Sequence, residues 1–547
     1  MSISELARSA HRDLDATRAP APSAAQRTTP YADALERHAR TVSTQLMVPG
    51  HGGTATGVSG RLADFFGERL LQLDIPMLVD DVDLGDNSPY DQALALAAEA
   101  WGARRTWFLT NGASQANRTV ALALRGLGEG IVMQRSVHSS FIGGMLVADL
   151  VPSYVMPSID HEHGVAHGIT LAALADALER ADASGVPLAA VYVVSPSYFG
   201  AAADLAALAE LAHAHGVPFI VDGAWGPHFG FHDGLPASPI ALGADLVISS
   251  THKLAGSLTQ SAMLHLADGP FADALEAQIN RAMSMTASTS SSALLRASLD
   301  IARHALVNGR VQIGASIEAA NAFRDVVRAD GRVGVLSDSF GRFDDIVDVD
   351  PLHIVLDVSV AGLSGHWVRQ QLINRHALFF EMSTATSIVA IVGAGKVPDY
   401  AAVFHALIEV ITSPEATLVR GETKVAFPTL PEPGALRRTA RQAYFADSEL
   451  VDASAAIGRV SADTLAAYPP GIPNVIPGEE ITAETVAFLQ AVAASPTGHV
   501  RGAIEPTVQR MRVLRDRYPP PKWRTDNAVW SKTVRCLDRP SRNNCFG

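Results

Sequence analysis

The sequence predicts an α/β protein: a large unit with a mainly parallel sheet covered on both faces by helices, followed by smaller α+β units. Three observations predict it. From about residue 90 to residue 254, short apolar runs alternate with Ala- and Leu-rich helical patterns at the spacing of β–α crossovers. The run Gly243-Ala-Asp-Leu-Val-Ile-Ser249 is largely apolar and short, as a buried strand is. Residues able to do chemistry, namely Ser114, His138, Ser195, Asp222 and Lys253, all fall just after predicted strands. In open α/β sheets ligands sit beyond the carboxyl ends of the strands.

The bulk numbers agree with a globular enzyme-sized chain. At 547 residues it exceeds what one core usually supports, so two to four domains are expected. It is 48% hydrophobic and 18% charged, which allows large cores. The formal net charge of −13 disfavours nucleic acid and anionic membrane as partners and agrees weakly with a cationic small substrate. Only two cysteines occur, Cys536 and Cys545, so neither a disulfide framework nor a cysteine metal site is expected, and a reducing cytoplasm is the default. No apolar run reaches the roughly 18–20 residues that span a bilayer. The N-terminus lacks a continuous apolar signal core and carries Glu5, Asp13 and Asp15.

Taken in order, residues 1–40 read as an arm or linker, with a short helix over Ser4–Thr17 and a Pro-, Ala- and Thr-rich stretch to Pro30. Met47-Val-Pro-Gly-His51-Gly-Gly-Thr54 reads either as a loop lining an active-site entrance or as a tight turn. Asp91–Trp101 is helical and Thr106–Thr110 a strand. Asn111-Gly112-Ala113-Ser114 then turns into a helix over Gln115–Leu127. Strands follow at Ile131–Gln134, Tyr154–Met156 and Ala189–Val194, with helices at Leu171–Ala183 and Leu205–His215. Pro218–Asp222 is a strand that ends in its carboxylate. Beyond Asp300 the pattern predicts one long helix over Ile301–Ala329. Strands near Leu352–Asp357 and Ser387–Val392 follow, with a helix over Ser364–Asn374 between them. Leu430-Pro-Glu-Pro-Gly434 marks a boundary. A Pro-fixed loop from Tyr468 to Glu479 then leads into a helix over Ala483–Ala493.

Lys253 and Asp222, at the ends of neighbouring strands, can face one ligand. They suit pyridoxal phosphate (PLP): Lys253 as the amine that forms the Schiff base, Asp222 as the anion that keeps the ring nitrogen protonated. The turn at Gly112, Ala113 and Ser114 opens a helix, whose free N–H groups and dipole favour a phosphate. The hydroxyls of Ser250 and Thr251 and the imidazole of His252 can reach the same phosphate, and His138 can stack on the ring. Each residue alone has an ordinary reading, such as a surface Lys, a turn-capping Asp or a hydrogen-bonded His. The joint pattern in order is what points to a site. Ser250-Thr-His-Lys253 also matches S-x-x-K of serine hydrolases, but the Ser-Asp-Asn and Lys-Thr-Gly partners are absent. His161, Glu162, His163 and His167 lie in a Gly-containing loop without established helical order, and no metal is expected there.

These motifs resemble, in family order, the fold type I PLP-dependent ornithine/lysine/arginine decarboxylases of bacteria. The resemblance runs from about Met47 to Gly502. Pro49-Gly50-His51 is similar to the family's entrance loop, Phe108 to Asn117 to its phosphate turn, and Arg135-Ser-Val-His138 to the segment ending in the stacking His. Ser195-Pro-Ser-Tyr198, Asp222-Gly-Ala-Trp225-Gly-Pro-His228, Ser250-Thr-His-Lys253, Ser298-Leu-Asp300-Ile-Ala-Arg303 and Tyr468-Pro-Pro-Gly-Ile-Pro with Pro477-Gly-Glu479 resemble later signatures. The chain departs from the common pattern at Ser139 and Gly52, where Lys is frequent, and at Gly223 and Trp225, where Glu and His are frequent. These departures bear on substrate identity more than on cofactor binding.

The resemblance implies an aminotransferase-like large domain over 41–330, a small α+β domain over 331–430 and a C-terminal decarboxylase domain over 431–547. It also implies a homodimer or larger homo-oligomer with sites at the subunit interface, without the receiver-like N-terminal domain of larger members. The implied reaction is decarboxylation of a basic L-amino acid in polyamine biosynthesis. Lys253, His138 and Asp222 would be catalytic, with Gly112, Ala113, Ser114, Ser195, Trp225, Ser250 and His252 holding the cofactor and His51, Glu381 and Glu479 facing the substrate. A transaminase, lyase or oxidase on the same fold stays open, as does a catalytically silent regulator.

Overall fold

The computed structural model describes residues 23–421, 430–468, 471–495 and 498–515. The expected Ser4–Thr17 helix and both cysteines lie outside them. Seven strands form the main sheet, in the order Arg105–Leu109, Ala262–Leu266, Leu246–Ser249, Phe219–Asp222, Leu188–Val194, Gly130–Gln134, Val151–Val155. The last five run parallel to one another. Ala262–Leu266 is antiparallel to both its neighbours. The sequence reading did not identify this strand, which follows the Lys253 loop after a few residues.

Alternation along each strand divides the core into two layers. On one face Tyr192, Ile220 and Ile248 meet Val120, Leu124, Phe141 and Ile279. On the other, Val191, Val193, Phe219, Val221 and Val247 meet Leu174, Leu178 and Leu208. Both strand faces are buried, which is why these runs are apolar throughout. Each such side chain contributes about 1.5–3 kcal/mol by leaving water. All the parallel strands therefore end at one edge, where the polar residues of the next turns gather.

A second, antiparallel sheet has the order Gly334–Val335, His353–Asp357, Ser387–Ile391, Met382–Ser383. It packs against the helices Gly365–His376 and Tyr400–Ile411. C-terminal to it, Leu465–Tyr468 pairs with Pro473–Val475 and His499–Arg501, and Ser448–Asp452 pairs with Arg510–Leu514. The helix Ala483–Ala494 covers these small sheets through Phe488, Leu489 and Val492.

Two expectations are corrected. Residues 23–41 are not a linker. Pro30–Thr41 is a helix that begins on its proline and buries Tyr31, Ala34 and Leu35. Asp300 and Arg303 hold it: the Asp300 carboxylate accepts the N–H groups of Tyr31 and Ala32 at 3.0 and 3.4 Å, and Arg303 donates to the carbonyls of Gln26 and Thr28. Nor is there one long helix after residue 300. Ala293–Asn308 and Arg310–Asp330 are separate, broken at Gly309. A Cβ on Gly309 would lie 2.3 Å from the Ala305 carbonyl oxygen, so only glycine fits the break. Among the described residues, no helix is long and apolar enough to cross a membrane.

Candidate active site

Asp222 ends its strand level with Ile248 of the next, so the turn Ser250–Lys253 emerges beside it. Thr251–Leu254 forms a single helical turn that carries Lys253. The Lys253 Nζ lies 3.5 Å from the centroid of the Trp225 ring. Burial lowers the Lys253 ammonium pKa to about 8, against the opposing pull of the Asp222 and Glu381 carboxylates. A minor fraction is therefore neutral amine near pH 7, far more than for an ordinary lysine, as a nucleophilic lysine requires.

Asp222 is 3% exposed and fully bonded on one oxygen. Its Oδ2 lies 3.1 Å from Asn117 Nδ2 and 3.0 Å from the Tyr192 hydroxyl, and its Oδ1 accepts the Ala224 N–H at 3.1 Å. One Oδ1 lone pair is left for a further donor. Burial, reinforced by Asp222, raises the Tyr192 phenol well above its ordinary value and keeps it a donor. Asn117 also reaches Ser140 Oγ at 3.0 Å, and Ser140 Oγ lies 2.7 Å from His138 Nδ1. His138 caps the helix Ser139–Ala148. Burial of its surroundings holds its imidazole below the usual value, more strongly than Asp222 draws it up. Its ring is open to solvent, which suits a flat partner.

The end of the site expected to take a phosphate lies between the helix Gly112–Leu124 and the Ser250 turn. Gly112, at φ +70°, makes the strand-to-helix turn that a side chain would strain. Its N–H is not free, as had been expected: it donates to the Gln260 carbonyl at 2.7 Å. That leaves Ala113 and Ser114 as first-turn donors. Thr251 Oγ1 is buried without a partner among the described residues, an unmet group beside this turn. His252 Nδ1 lies 2.9 Å from the Ser261 carbonyl, which fixes a proton there, and 3.4 Å from Ser250 Oγ. Together these donors suit a phosphate, and the Lys253–Asp222 pair suits a pyridine aldehyde, so the residues present fit PLP.

The remaining expected site residues fall out differently. The Ser195 hydroxyl accepts the Ala203 N–H at 3.1 Å and secures the turn after its strand. Both His51 nitrogens are engaged, Nδ1 by the Gly53 N–H at 3.1 Å and Nε2 by Asp74 at 3.3 Å. Glu381 is exposed, accepts the Tyr198 hydroxyl at 3.0 Å and acts electrostatically on Lys253. Tyr198 packs on Trp225 at 4.4 Å between centroids, which joins Glu381 to the same wall. Glu479 is not a substrate ligand. It is 1% exposed and makes a two-pronged ion pair with Arg135 at 2.5 and 2.8 Å, and it also accepts the Ile476 N–H. Its role is to tie the C-terminal part to the main sheet.

In the His161–His167 loop, His163 is bonded to Asp160 at 2.7 Å and approaches Asp357 at 3.4 Å. Asp160, Glu162 and His163 could converge on a cation, but Asp160 and His163 already satisfy one another.

Sequence reasoning gave no role to Tyr192, which read as one more apolar strand residue, or to Asn117, one polar position in a helix. An Asn at a helix position otherwise facing the core is the signal that was available. It also missed the buried carboxylate of Asp350 between His353 at 2.7 Å and His228 at 3.0 Å, behind Trp225.

The family described as Orn/Lys/Arg decarboxylase, major domain, matches residues 29–343, and the corresponding C-terminal domain matches residues 421–498. An arginine decarboxylase of Bacillus subtilis is 36% identical over 503 residues, covering 90% of this chain and 99% of its own length. One of Halalkalibacterium halodurans is 34% identical over 500 residues, covering 90% and 98%. Among solved structures, the Francisella novicida lysine decarboxylase LdcF superposes with a TM-score of 0.75 at 20% identity, covering 90% of this chain and 82% of that one.

Proposed function

The chain belongs to the Orn/Lys/Arg decarboxylase family, and from that premise we propose that it is a PLP-dependent carboxy-lyase converting a basic L-amino acid, arginine foremost, to its amine and CO2. The observation that carries the reading is Lys253 and Asp222 at adjacent strand ends. The preference for arginine rests on the near-full-length likeness to proteins named arginine decarboxylase.

When bound, PLP supplies an aldehyde that condenses with amines and a protonated ring that accepts the electron pair left by departing CO2. Lys253 provides the resident amine, and with a pKa of about 8 its Nζ can both take and give a proton at the reacting carbon. Asp222 keeps a proton on the ring nitrogen, because a buried carboxylate facing that atom favours the charged form. His138 would offer its imidazole to the ring. Ala113, Ser114, Ser250 and His252 would hold the phosphate. His252 donates through Nε2 only as imidazolium, since Nδ1 is committed to Ser261. Trp225 and Tyr198 shield Lys253 from water, and Glu381 attracts the distal cation of the substrate. Binding energy spent on that cation orients the Cα–carboxylate bond for cleavage.

The same reading carries the three-part division at residues 330 and 430, supported by the four-stranded sheet that lies wholly between them, although Asp348–Val349 also pairs with Ala201–Ala202 across the first boundary. It also carries a cytoplasmic homodimer or larger assembly, and an amine product used in polyamine synthesis. The test is CO2 release from carboxyl-labelled arginine, lysine and ornithine by the PLP-loaded protein. Release from arginine at the highest kcat/KM, abolished in Lys253→Ala, is expected. PLP bound with no CO2 from any of the three would overturn the proposal.

A further inference from the structure

At the Asp222 end of the site, one amide bonds the carboxylate directly and reaches His138 through the Ser140 hydroxyl. Asn117 is 1% exposed on the helix that also presents Ala113 and Ser114. Its orientation is settled by its neighbours. On one side stands the Asp222 carboxylate, 3.1 Å away, which needs a donor. On the other, the Tyr192 hydroxyl lies 2.5 Å from Asn117 Oδ1 and 3.0 Å from Asp222 Oδ2, its one proton shared between these two acceptors. Nδ2 must therefore face Asp222. Its second hydrogen reaches Ser140 Oγ at 3.0 Å.

The consequence passes through Ser140. With one lone pair of its oxygen taken by Asn117, the Ser140 hydroxyl turns its proton to His138 Nδ1, 2.7 Å away. The Ser140 backbone N–H points at the same nitrogen from 3.2 Å. Two donors aimed at Nδ1 leave no place for a proton on it. His138 is then neutral, with its proton on Nε2, which is free of the network. The charged groups around it are Asp222, Lys253, Arg118 and Arg501, and the three cations oppose a second proton.

We infer that Asn117 is a positioning residue of the site, one amide that locks the Asp222 carboxylate and, through Ser140, holds His138 in its Nε2–H form. The inference deepens the decarboxylase reading and rests on it for its catalytic meaning, because an Nε2–H imidazole offers a directed proton beside the cofactor. The hydrogen-bond chain itself requires no cofactor.

The test separates the two. Full-length apo protein with 15N-labelled histidine is titrated by NMR, with His138→Gln identifying the His138 resonances. The wild type should show Nδ1 unprotonated and Nε2 protonated across neutral pH. Asn117→Asp removes the hydrogen given to Ser140 without changing the shape, since any proton on the new carboxyl is drawn to Asp222. The Ser140 hydroxyl can then donate to the new carboxylate and accept from a protonated Nδ1, so the His138 midpoint should rise by about one pH unit or more. Ser140→Ala should abolish the effect of Asn117→Asp in the double variant, because the link is cut. In the loaded enzyme, the acid limb of the kcat/KM profile should move in the same direction.

If Asn117→Asp does not fold, the wild-type tautomer and Ser140→Ala decide. The single variant should also raise the midpoint, by the loss of one donor. A wild-type Nδ1–H tautomer, or a midpoint that neither substitution moves, overturns the inference. Absence of CO2 release by the wild type overturns the decarboxylase reading and leaves the ring titration to be judged separately.

Discussion

The buried amine of Lys253 should make the apo protein more stable as the solution becomes more alkaline. In the folded chain burial lowers the Lys253 pKa from 10.5 to about 8, whereas in the unfolded chain the amine titrates near its ordinary value. Between those two pH values the unfolded state binds the extra proton, so stability rises with pH across the window. Below pH 8 both states are protonated and the cost of burying the ammonium is fully felt, and above about 10.5 neither is charged. The 2.5-unit gap between the 10.5 and about 8 corresponds to roughly 3 kcal/mol at most, and partial exposure to solvent reduces it to about 1–3 kcal/mol.

The perturbation is Lys253→Met, which keeps the length of the side chain and removes the charge. Buried tyrosines such as Tyr198, raised by burial and Glu381, titrate with the opposite sign at high pH, but they are common to both proteins and cancel in the difference. Denaturant unfolding of both apo proteins at several pH values from 7.5 to 10.5 should show the Met variant ahead by about 1–3 kcal/mol at the low end, with the margin closing toward the high end. A margin that stays constant as pH rises would refute the reasoning, because Lys253 would then titrate alike in both states, and a widening margin would refute it too, because folding would then raise the pKa.

Glu479→Gln should destabilise the chain by about 3–5 kcal/mol, since it strands the Arg135 guanidinium in the interior, and it should leave the KM of any residual folded fraction unchanged; urea unfolding with steady-state kinetics checks both parts. Arg303→Ala should release residues 23–41, read as faster cleavage near residue 40 in limited proteolysis, because Arg303 holds Gln26 and Thr28 and neutralises Asp300. For His163, burial lowers the pKa but the bonds to Asp160 and Asp357 outweigh it and raise it to about 9. Its stabilisation is therefore complete below pH 6.5 and fades as pH rises through 9. In denaturant unfolding, His163→Asn should accordingly cost more stability at pH 6 than at pH 9.5, by about 1–3 kcal/mol in the difference.

The sequence by itself determined the parallel strands in their order along the chain, though not the antiparallel Ala262–Leu266, the edge where polar residues collect, and the pair Lys253 and Asp222. The physical reason is that burial on both faces of a parallel strand leaves a continuous apolar run, and the first polar residue after it marks the strand end. Periodicity and turn chemistry are properties of neighbouring residues, so they are legible along one dimension. Only the tertiary structure decided which candidates are free to act. Glu381 and Glu479 are indistinguishable as carboxylates in loops, but Glu479 meets Arg135 across 344 residues of chain and is buried, whereas Glu381 is exposed beside Tyr198.

The N-terminal segment looked like a linker because its partner, the Asp300–Arg303 clasp, lies some 270 residues away, as the separation of 269 between Tyr31 and Asp300 records. Asn117 and Tyr192 carry no local pattern at all. Their meaning arises where one helix and two strands bring an amide, a phenol and a carboxylate within hydrogen-bonding distance of one another. Hydrogen bonds in a buried network are set by which groups packing leaves without water, and that is a property of the folded arrangement.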